Sequence, residues 1–279
     1  SIGEIDGAKG SIRKISEIWN AAPERKSIGT SINVQGNVEC KNLALSLGGK
    51  EILKNVSFSV PANSMVAVVG PAASGKTTLL KVIQGFIKPT VGSVLIDGRS
   101  LLSLDLENYR SQVSMVSANP SFFTGTIEEN LRRARRNISE RELREATSLS
   151  GLDSIISNIE GGLAYQLDNA NNALPSSYRG VIALARALIS DPKILPFDEV
   201  FANLDKSLQS ELLNKMPSIA KSRTLFFVTH DIRVASTMGR VMVMEQGKVI
   251  ALDKPEILLE HCELYKKLWA LDNHPNITR

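Results

Sequence analysis

Gly70-Pro-Ala-Ala-Ser-Gly-Lys76-Thr77 is the stretch that decides the fold of this 279-residue chain. It has the spacing G-x-x-x-x-G-K-T. An apolar run, Met65 to Val69, precedes it, and a segment that can be helical, Thr77 to Gln84, follows it. This order of strand, glycine-containing loop and helix is the context that a phosphate-binding P-loop requires. The sequence therefore predicts a site for nucleotide phosphates at this loop.

Each position of the loop has a physical role in that prediction. Gly70 and Gly75 allow backbone conformations and a close approach that a side chain would block. The loop amides and the helix N-terminus point at phosphate oxygens. Lys76 neutralises the outer phosphates, and Thr77 offers a hydroxyl to Mg²⁺. The predicted binding residues are Gly70, Pro71, Ala72, Ala73, Ser74, Gly75, Lys76, Thr77 and Thr78.

Two carboxylates follow another apolar run, Lys193 to Phe197. Asp198, at the end of this strand, is placed to hold Mg²⁺ together with Thr77. The adjacent Glu199 points elsewhere and is a candidate to polarise an attacking water. His230 follows a third buried strand and is placed to reach a γ-phosphate or to orient that water, although a lone histidine there is more often structural.

Strands alternate with helices along the chain, which predicts an α/β fold with a helical insertion at about 119–190. We predict strands at Cys40–Leu47, Val56–Val60, Met65–Val69, Val94–Ile96, Val113–Val116, Ile194–Phe197, Thr224–Val228, Val241–Met244 and Lys248–Ile250. We predict helices at Thr126–Arg135, after Ser139 with Glu142 completing a capping box, at Leu152–Ile159, at Pro175–Ile189 and at Pro255–Leu271.

Residues 1–35 have a different pattern. Ile12, Ile15, Ile18 and Trp19 recur at helical spacing, and Pro23 with the polar residues after it predicts a linker. No apolar run approaches the roughly 18–20 residues that a membrane helix requires.

The net charge of +4 is mild. Its main local concentration, Arg132 to Arg136, is typical of a solvated helix face rather than a nucleic-acid patch, because no aromatic residues are interleaved. We therefore expect no nucleic-acid partner.

Over residues 36–271, the order of these motifs resembles the nucleotide-binding domain of ATP-binding-cassette (ABC) transporters, of the exporter type. Gly70 to Thr78 matches the family's Walker A motif. The Walker B aspartate and catalytic glutamate match Asp198 and Glu199, and the switch histidine matches His230. The D-loop matches Ala202 to Asp205, and Gly125-Thr126-Ile127 resembles an exporter-type run.

The resemblance implies a P-loop NTPase (RecA-like) core with an antiparallel β subdomain and an inserted all-helical subdomain. It implies an ATPase, spanning residues 36–279, that uses ATP and Mg²⁺ to drive export. Residues 1–35 would be the end of a fused transmembrane domain and its linker. The protein would lie on the cytoplasmic face of a bacterial-type inner membrane and would pair with a second ABC ATPase domain.

The chain departs from the family pattern at several positions. The signature L-S-G-G-Q reads Leu174-Pro175-Ser176-Ser177-Tyr178, and Pro175 has neither a hydroxyl nor an N–H to donate. The Q-loop glutamine aligns with Ala118, the aromatic that stacks on adenine aligns with Leu47, and the acidic motif before the signature aligns near Asn169. Pro196 lies inside the Walker B strand.

Two explanations of these departures stay open. The chain is one half of an asymmetric pair whose partner carries a good signature, or it forms a homodimer with two poor sites. Two other functions remain as alternatives: a non-transport ABC ATPase, and a regulatory domain that senses ATP with little hydrolysis. The transported substrate is not readable from these residues.

Overall fold

The P-loop follows the third strand of the chain, as a computed structural model of residues 29–168 and 174–273 shows. The strands are β1 (Val38–Leu47), β2 (Lys50–Val60), β3 (Met65–Val69), β4 (Val91–Ile96), β5 (Arg99–Ser100), β6 (Val116–Ser117), β7 (Gly125–Thr126), β8 (Gln166–Leu167), β9 (Ile194–Asp198), β10 (Thr224–Val228), β11 (Arg240–Glu245) and β12 (Lys248–Asp253).

The α-helices of the described residues are α1 (Lys76–Ile83), α2 (Leu106–Arg110), α3 (Ile127–Arg132), α4 (Glu140–Ser150), α5 (Leu152–Ile156), α6 (Ser176–Ile189), α7 (Lys206–Ala220), α8 (Ile232–Ser236), α9 (Pro255–His261) and α10 (Glu263–Asn273). The predicted N-terminal helix with Ile12 and Trp19, most of the linker after it, and Asn169 lie outside the described residues.

A six-stranded sheet with the order β12-β11-β3-β10-β9-β6 forms the centre of the domain. All its neighbouring strands are parallel except β11 and β12. In this register Val228 of β10 lies between Val68 of β3 and Asp198 of β9. The carboxyl ends of β3, β9 and β10 therefore meet at one edge of the sheet, where ligands bind in open α/β folds.

A second, antiparallel sheet has the order β2-β1-β4-β5. Its first hairpin turns at Gly48-Gly49 and pairs Leu47 with Lys50. The strand after the turn begins at Lys50, six residues before the predicted start at Val56. This longer strand brings Lys50 to Lys54 beside the P-loop.

The central sheet has a hydrophobic core on each face, because residues of β3 alternate between the two. Val66 and Val68 pack with α1 and the antiparallel sheet. Ala67 and Val69 pack with α3 to α7 on the other face. α1 is thus enclosed between two sheets, and this fixes the helix that begins at Lys76. The mixed α/β fold with a P-loop core that the sequence predicts is confirmed.

Pro196 lies in β9 at a position where the strand is paired on one side only, so the absence of its N–H costs no hydrogen bond. It pairs with Phe226 of β10 on one side. On the other side, Val113 bridges to Ile194, the Ser114 N–H donates to Ile194 O, and Val116 and Ser117 pair with Phe197 and Asp198, so no residue pairs with Pro196 there. The proline is tolerated because it lies where the ladder is already interrupted.

Most other differences from the sequence predictions concern where helices begin and end. Thr126 is the N-cap of α3 rather than a helical residue, and it completes a capping box with Glu129. The predicted capping box of Ser139 and Glu142 is confirmed. The single helix predicted over 255–271 is wrong, because the backbone at Cys262 is extended and divides it into α9 and α10. Within the described residues, 29–168 and 174–273, no helix is both long and apolar enough to cross a bilayer.

Candidate active site

Close packing fixes the P-loop where β3 turns into α1. Gly70 has a φ of +148°, and a Cβ there would lie 2.0 Å from the carbonyl oxygen of Met244. Gly75, with a φ of +99°, precedes α1 and gives that helix no side-chain cap. The first amides of α1 thus keep their hydrogen-bonding capacity for a ligand.

Lys76 and Ser74 place buried polar atoms inside the loop. Lys76 is 5 % exposed, and its Nζ donates to the carbonyl oxygens of Gly70 and Pro71, each at 2.9 Å. Burial lowers the pKa of Lys76, and the nearby carboxylates oppose that shift. The Oγ of Ser74 is buried with no hydrogen-bond partner among the described residues. A phosphate in this loop would satisfy both groups, so the residues fit such a ligand.

Thr77 and Asp198 come together as predicted, from the first turn of α1 and the end of β9. Thr77 Oγ1 donates to Asp198 Oδ1 at 3.0 Å. Burial raises the pKa of Asp198, and the hydrogen bond from Thr77 opposes that shift. A cation would offset the cost of burying this carboxylate, and hydroxyl and carboxylate oxygens are ligands that Mg²⁺ accepts.

The fit to Mg²⁺ depends on the nucleotide as well as the protein. The described parts of the chain contain no cluster of three or more acidic, histidine or cysteine side chains that could enclose a metal alone. Phosphate oxygens and waters would have to complete the coordination, as is common for Mg²⁺ at nucleotide sites.

Glu199 and His230 meet at the ends of β9 and β10. His230 Nε2 and Glu199 Oε1 are 2.9 Å apart, and both side chains are about half exposed, 53 % and 44 %. Glu199 has a φ of +57°, which is uncommon for a residue with a side chain, and its N–H donates to Val228 O. Such backbone conformations cluster at active sites. The pair sits at the mouth of the same cleft as the P-loop.

This cleft, of about 580 Å³, is lined by nine of the twelve predicted site residues, and Gly70, Pro71 and Asp198 do not line it. Its lining also contains residues that the sequence predictions missed: Lys50, Glu51, Ile52, Lys54 and Gln246. The signal for three of them was present in the alternation Lys50-x-Ile52-x-Lys54, which places two cations on one face of a strand, whereas Glu51 and Gln246 had no such signal. Asp198 instead lines a smaller adjoining cavity of about 290 Å³ with Thr77, Ala118 and Asn119.

Two positions where the sequence differs from the family motifs, Ala118 and Pro175, lie beside the end of β9 and at the start of α6. Ala118 donates its N–H to Asp198 O at 3.0 Å, so its backbone touches the site although its side chain offers no oxygen. Pro175 is the N-cap of α6 and supplies no side-chain hydrogen bond. Pro175 and Ser176 are exposed. The predicted helix therefore survives the proline, with its first amides uncapped by side chains.

The basic run has partners within the chain. Arg132 pairs with Glu128 and Glu140, and Arg135 pairs with Glu142. Arg133 lies over the ring of Phe123 at 4.9 Å. These contacts account for the run as a surface network around α3 and α4.

Comparison with known proteins decides the family. The family described as ABC transporter matches residues 53–202, which is more than half of the chain. The chain belongs to the ABC transporter family. It is an ATP-binding ATPase domain of that family, and the motifs that carried the resemblance lie largely within the matched range.

Two relatives of this ABC domain illustrate its context. It is 31 % identical over 262 residues to an uncharacterized ABC transporter ATP-binding protein, YknV, of Bacillus subtilis, covering 92 % of this chain and 43 % of the relative. It is 32 % identical over 250 residues to the ATP-dependent lipid A-core flippase of Francisella tularensis, covering 88 % of this chain and 41 % of the flippase. The chain thus spans less than half the length of these curated relatives.

A solved structure supports the fold. The ABC domain superposes on a bacterial Atm1-family ABC exporter with ATP bound, with a TM-score of 0.84 and 24 % sequence identity. The match covers 96 % of this chain and 48 % of the exporter chain.

Proposed function

We propose that this domain binds Mg-ATP in the P-loop cleft, hydrolyses it, and powers export by a membrane transporter of which it is one part. The observation that carries the proposal is the convergence of Lys76, Thr77, Asp198, Glu199 and His230 on one edge of the central sheet. Each of these side chains has the chemistry that nucleotide hydrolysis needs at its place.

The P-loop side binds the nucleotide. The backbone amides from Ala72 to Thr78 and the Lys76 ammonium hold the phosphates, and Lys76 exchanges its two carbonyl partners for phosphate oxygens. Thr77 and Asp198 would hold Mg²⁺, which when bound would draw negative charge away from the phosphate oxygens. Burial around Lys76 and Asp198 strengthens these interactions because it lowers the local dielectric.

Hydrolysis is assigned to Glu199 and His230. The Glu199 carboxylate takes a proton from water as the water oxygen bonds to the terminal phosphorus and the bond to the departing diphosphate breaks. His230, 2.9 Å from Glu199 Oε1, orients that carboxylate and lies near enough to position the water and γ-phosphate.

The partners follow from the relatives and the length of the chain. We propose that a transmembrane domain is fused before residue 36, since each reported relative is more than twice as long as its match to this chain. The relatives are named for transport, which favours export over the non-transport alternative. The domain would then sit on the cytoplasmic face of the membrane, paired head to tail with a second ABC ATPase domain.

An ATP-sensing domain with little hydrolysis is the second candidate. Ala118, in place of a glutamine, and the stretch Pro175 to Ser177 favour it, because these positions supply fewer groups to a bound phosphate. The Glu199–His230 contact favours hydrolysis.

Single-turnover hydrolysis separates these functions. Wild-type protein should convert bound ATP to ADP, and Glu199→Gln should retain ATP binding while hydrolysis falls about 10²- to 10⁴-fold. Glu160→Gln, an exposed acid outside the cleft, serves as the matched control and should leave both quantities unchanged. Wild-type turnover in Glu199→Gln would contradict the assigned base. Binding without hydrolysis in the wild type, both alone and together with a second ABC ATPase domain, would favour the sensing domain.

A further inference from the structure

We propose that Asp272, in the last turn of α10, is a positioning residue for His230 in the hydrolysis step. Its carboxylate fixes the first turn of α8, the helix that begins two residues after His230, and so holds the imidazole beside Glu199. This inference rests on the proposed function and adds to the hydrolytic site a residue from α10, which lies outside all the nucleotide-binding motifs.

A direct hydrogen bond joins α10 to the start of α8. The Ile232 N–H donates to Asp272 Oδ2 at 3.1 Å, although the two residues are 40 positions apart in the chain. This N–H is one of the groups at a helix start that have no backbone partner within the helix. Ile232 is 2 % exposed. Removing the carboxylate would therefore leave a largely buried donor without its partner.

The other first-turn amides of α8 are satisfied by nearby residues. Asp231 is the N-cap, and its side chain accepts from the N–H groups of Arg233 and Val234. The Asp231 N–H in turn donates to Thr229 Oγ1 at 3.1 Å. Asp272 thus provides the contact that ties this locally capped turn to a distant helix.

The hydrogen bond from Ile232 matters more than the charges around it. α8 has five residues, fewer than an isolated helix needs to be stable in water, so its position depends on tertiary contacts. Arg233 Nε lies 3.5 Å from Asp231 Oδ1 and 3.6 Å from Asp272 Oδ2. Because the Arg233 side chain is 60 % exposed, we expect these ion pairs to add little.

The position of α8 decides where the imidazole of His230 lies. β10 fixes the backbone before His230, and the N-cap of α8 fixes the backbone after it. The ring itself is half exposed, so packing alone does not hold its Nε2 at 2.9 Å from Glu199 Oε1. A displaced α8 would lengthen this contact, whereas the P-loop, carried by β3 and α1, would still bind ATP.

Single-turnover hydrolysis and equilibrium ATP binding test the inference, each with the protein alone and with a second ABC ATPase domain. Asp272→Ala should slow hydrolysis at least about fivefold and keep the affinity for ATP within about twofold of wild type. Asp272→Asn retains an oxygen that accepts from Ile232, so its hydrolysis should return to within about twofold of wild type. Glu260→Ala, which removes an exposed acid of α9, is the matched control and should behave as wild type.

The same substitution in a His230→Ala background separates positioning from a general structural role. Residues that act as a unit are not additive, so adding Asp272→Ala there should change the residual hydrolysis by less than about twofold. An undiminished fivefold loss in this background would overturn the inference. Loss of ATP affinity in Asp272→Ala, or failure of Asp272→Asn to restore hydrolysis, would also overturn it.

The outcomes distinguish this inference from the proposed function. If wild type hydrolyses ATP and Asp272→Ala does so at the same rate, the role of Asp272 fails and the proposed function stands. If wild type binds ATP and hydrolyses none, alone or with the second domain, the proposed hydrolysis fails and the role of Asp272 fails with it.

Discussion

Helices α1 and α6 begin alike but in very different surroundings. Neither has a side-chain cap: α1 follows Gly75, and α6 follows Pro175. By contrast, α4 closes its first amides with a capping box of Ser139 and Glu142. Uncapped first turns leave amide groups for other partners, so both α1 and α6 keep the capacity to bind an anion.

The first turns of α1 and α6 differ in how closely the rest of the protein packs around them. The loop before α1 is enclosed at Gly70, where the carbonyl oxygen of Met244 excludes any side chain, and at Gly75, where the Leu53 side chain and Ile52 O lie close. The start of α6 is exposed at Pro175 and Ser176, and its residues depart from the glycine-rich signature that the resemblance implies. The lesson is that one half of the proposed site is retained in detail, whereas the half this chain would lend to a partner has changed.

Gly70→Ala should have the largest effect, on both the stability of the fold and ATP binding at the P-loop before α1. The new methyl group would meet Met244 O at 2.0 Å, so we expect a loss of about 3 kcal/mol in the free energy of unfolding together with loss of ATP binding. Gly98→Ala is the matched control, because Gly98 also has a positive φ, +78°, but nothing lies within 4 Å of its Cβ position. It should cost only about 1 kcal/mol. Equal losses in urea denaturation would show that backbone conformation, not close approach, constrains Gly70.

Leu47→Tyr should increase the affinity for ATP without disturbing the fold. Leu47 is half-exposed at the end of β1, beside the cleft residue Lys50. A ring there adds a stacking surface, and we expect ATP to bind about fivefold more tightly, which corresponds to about 1 kcal/mol. Leu47→Met, which adds no ring, should leave the affinity unchanged. Titration calorimetry measures both, and an equal gain in both variants would exclude stacking as the cause.

Removing the charge of Glu142 at the start of α4 should have the smallest effect on stability, and that effect should depend on pH. The Ser139 hydroxyl and backbone N–H, with Arg135, lower the pKa of Glu142 to about 2. Because this pKa lies below that of an unfolded glutamate, about 4.3, the carboxylate stabilises the fold above that pH and the contribution is lost as pH falls toward 2. Glu142→Gln should therefore lower the melting temperature slightly at pH 7.

The pH profile of that difference is the check. Melting temperatures of wild type and Glu142→Gln should converge between about pH 4 and pH 2. A difference that persists unchanged over this range would mean that Glu142 acts through packing and not through its charge. Exposed Glu160→Gln should show no such profile.

Elements with local signals were predictable from the sequence. The continuous apolar runs of β3 and β10 have the predicted bounds, because strands buried on both faces need no partner information to be recognised. The capping box of Ser139 is equally local. The identity of the site residues also follows from motifs, although their roles remain proposals.

Features that depend on distant residues were not predictable. The antiparallel pair of β7 and β8 joins Thr126 to Gln166, with three α-helices between them in the chain. The early start of β2, which carries Lys50 and Lys54 into the cleft, is set by pairing with β1 and by contact with Gly247. Helix α7 is missed for a different reason: its buried residues Leu208, Leu212 and Met216 recur at helical spacing, but Pro217 in its last turn argues against a helix.

The ATPase activity of a mixture of wild type and a second variant tests whether the P-loop side of this chain works once it has a good signature opposite it. The second component is this chain with Pro175→Ser, Ser176→Gly and Ser177→Gly to restore the start of α6, and with Glu199→Gln to silence its own site. Tyr178 is kept because it packs against the core. The mixture of this copy with wild type should hydrolyse ATP at least about tenfold faster than either protein alone, since the wild-type P-loop gains a working partner. A mixture no faster than the sum of its components would contradict it.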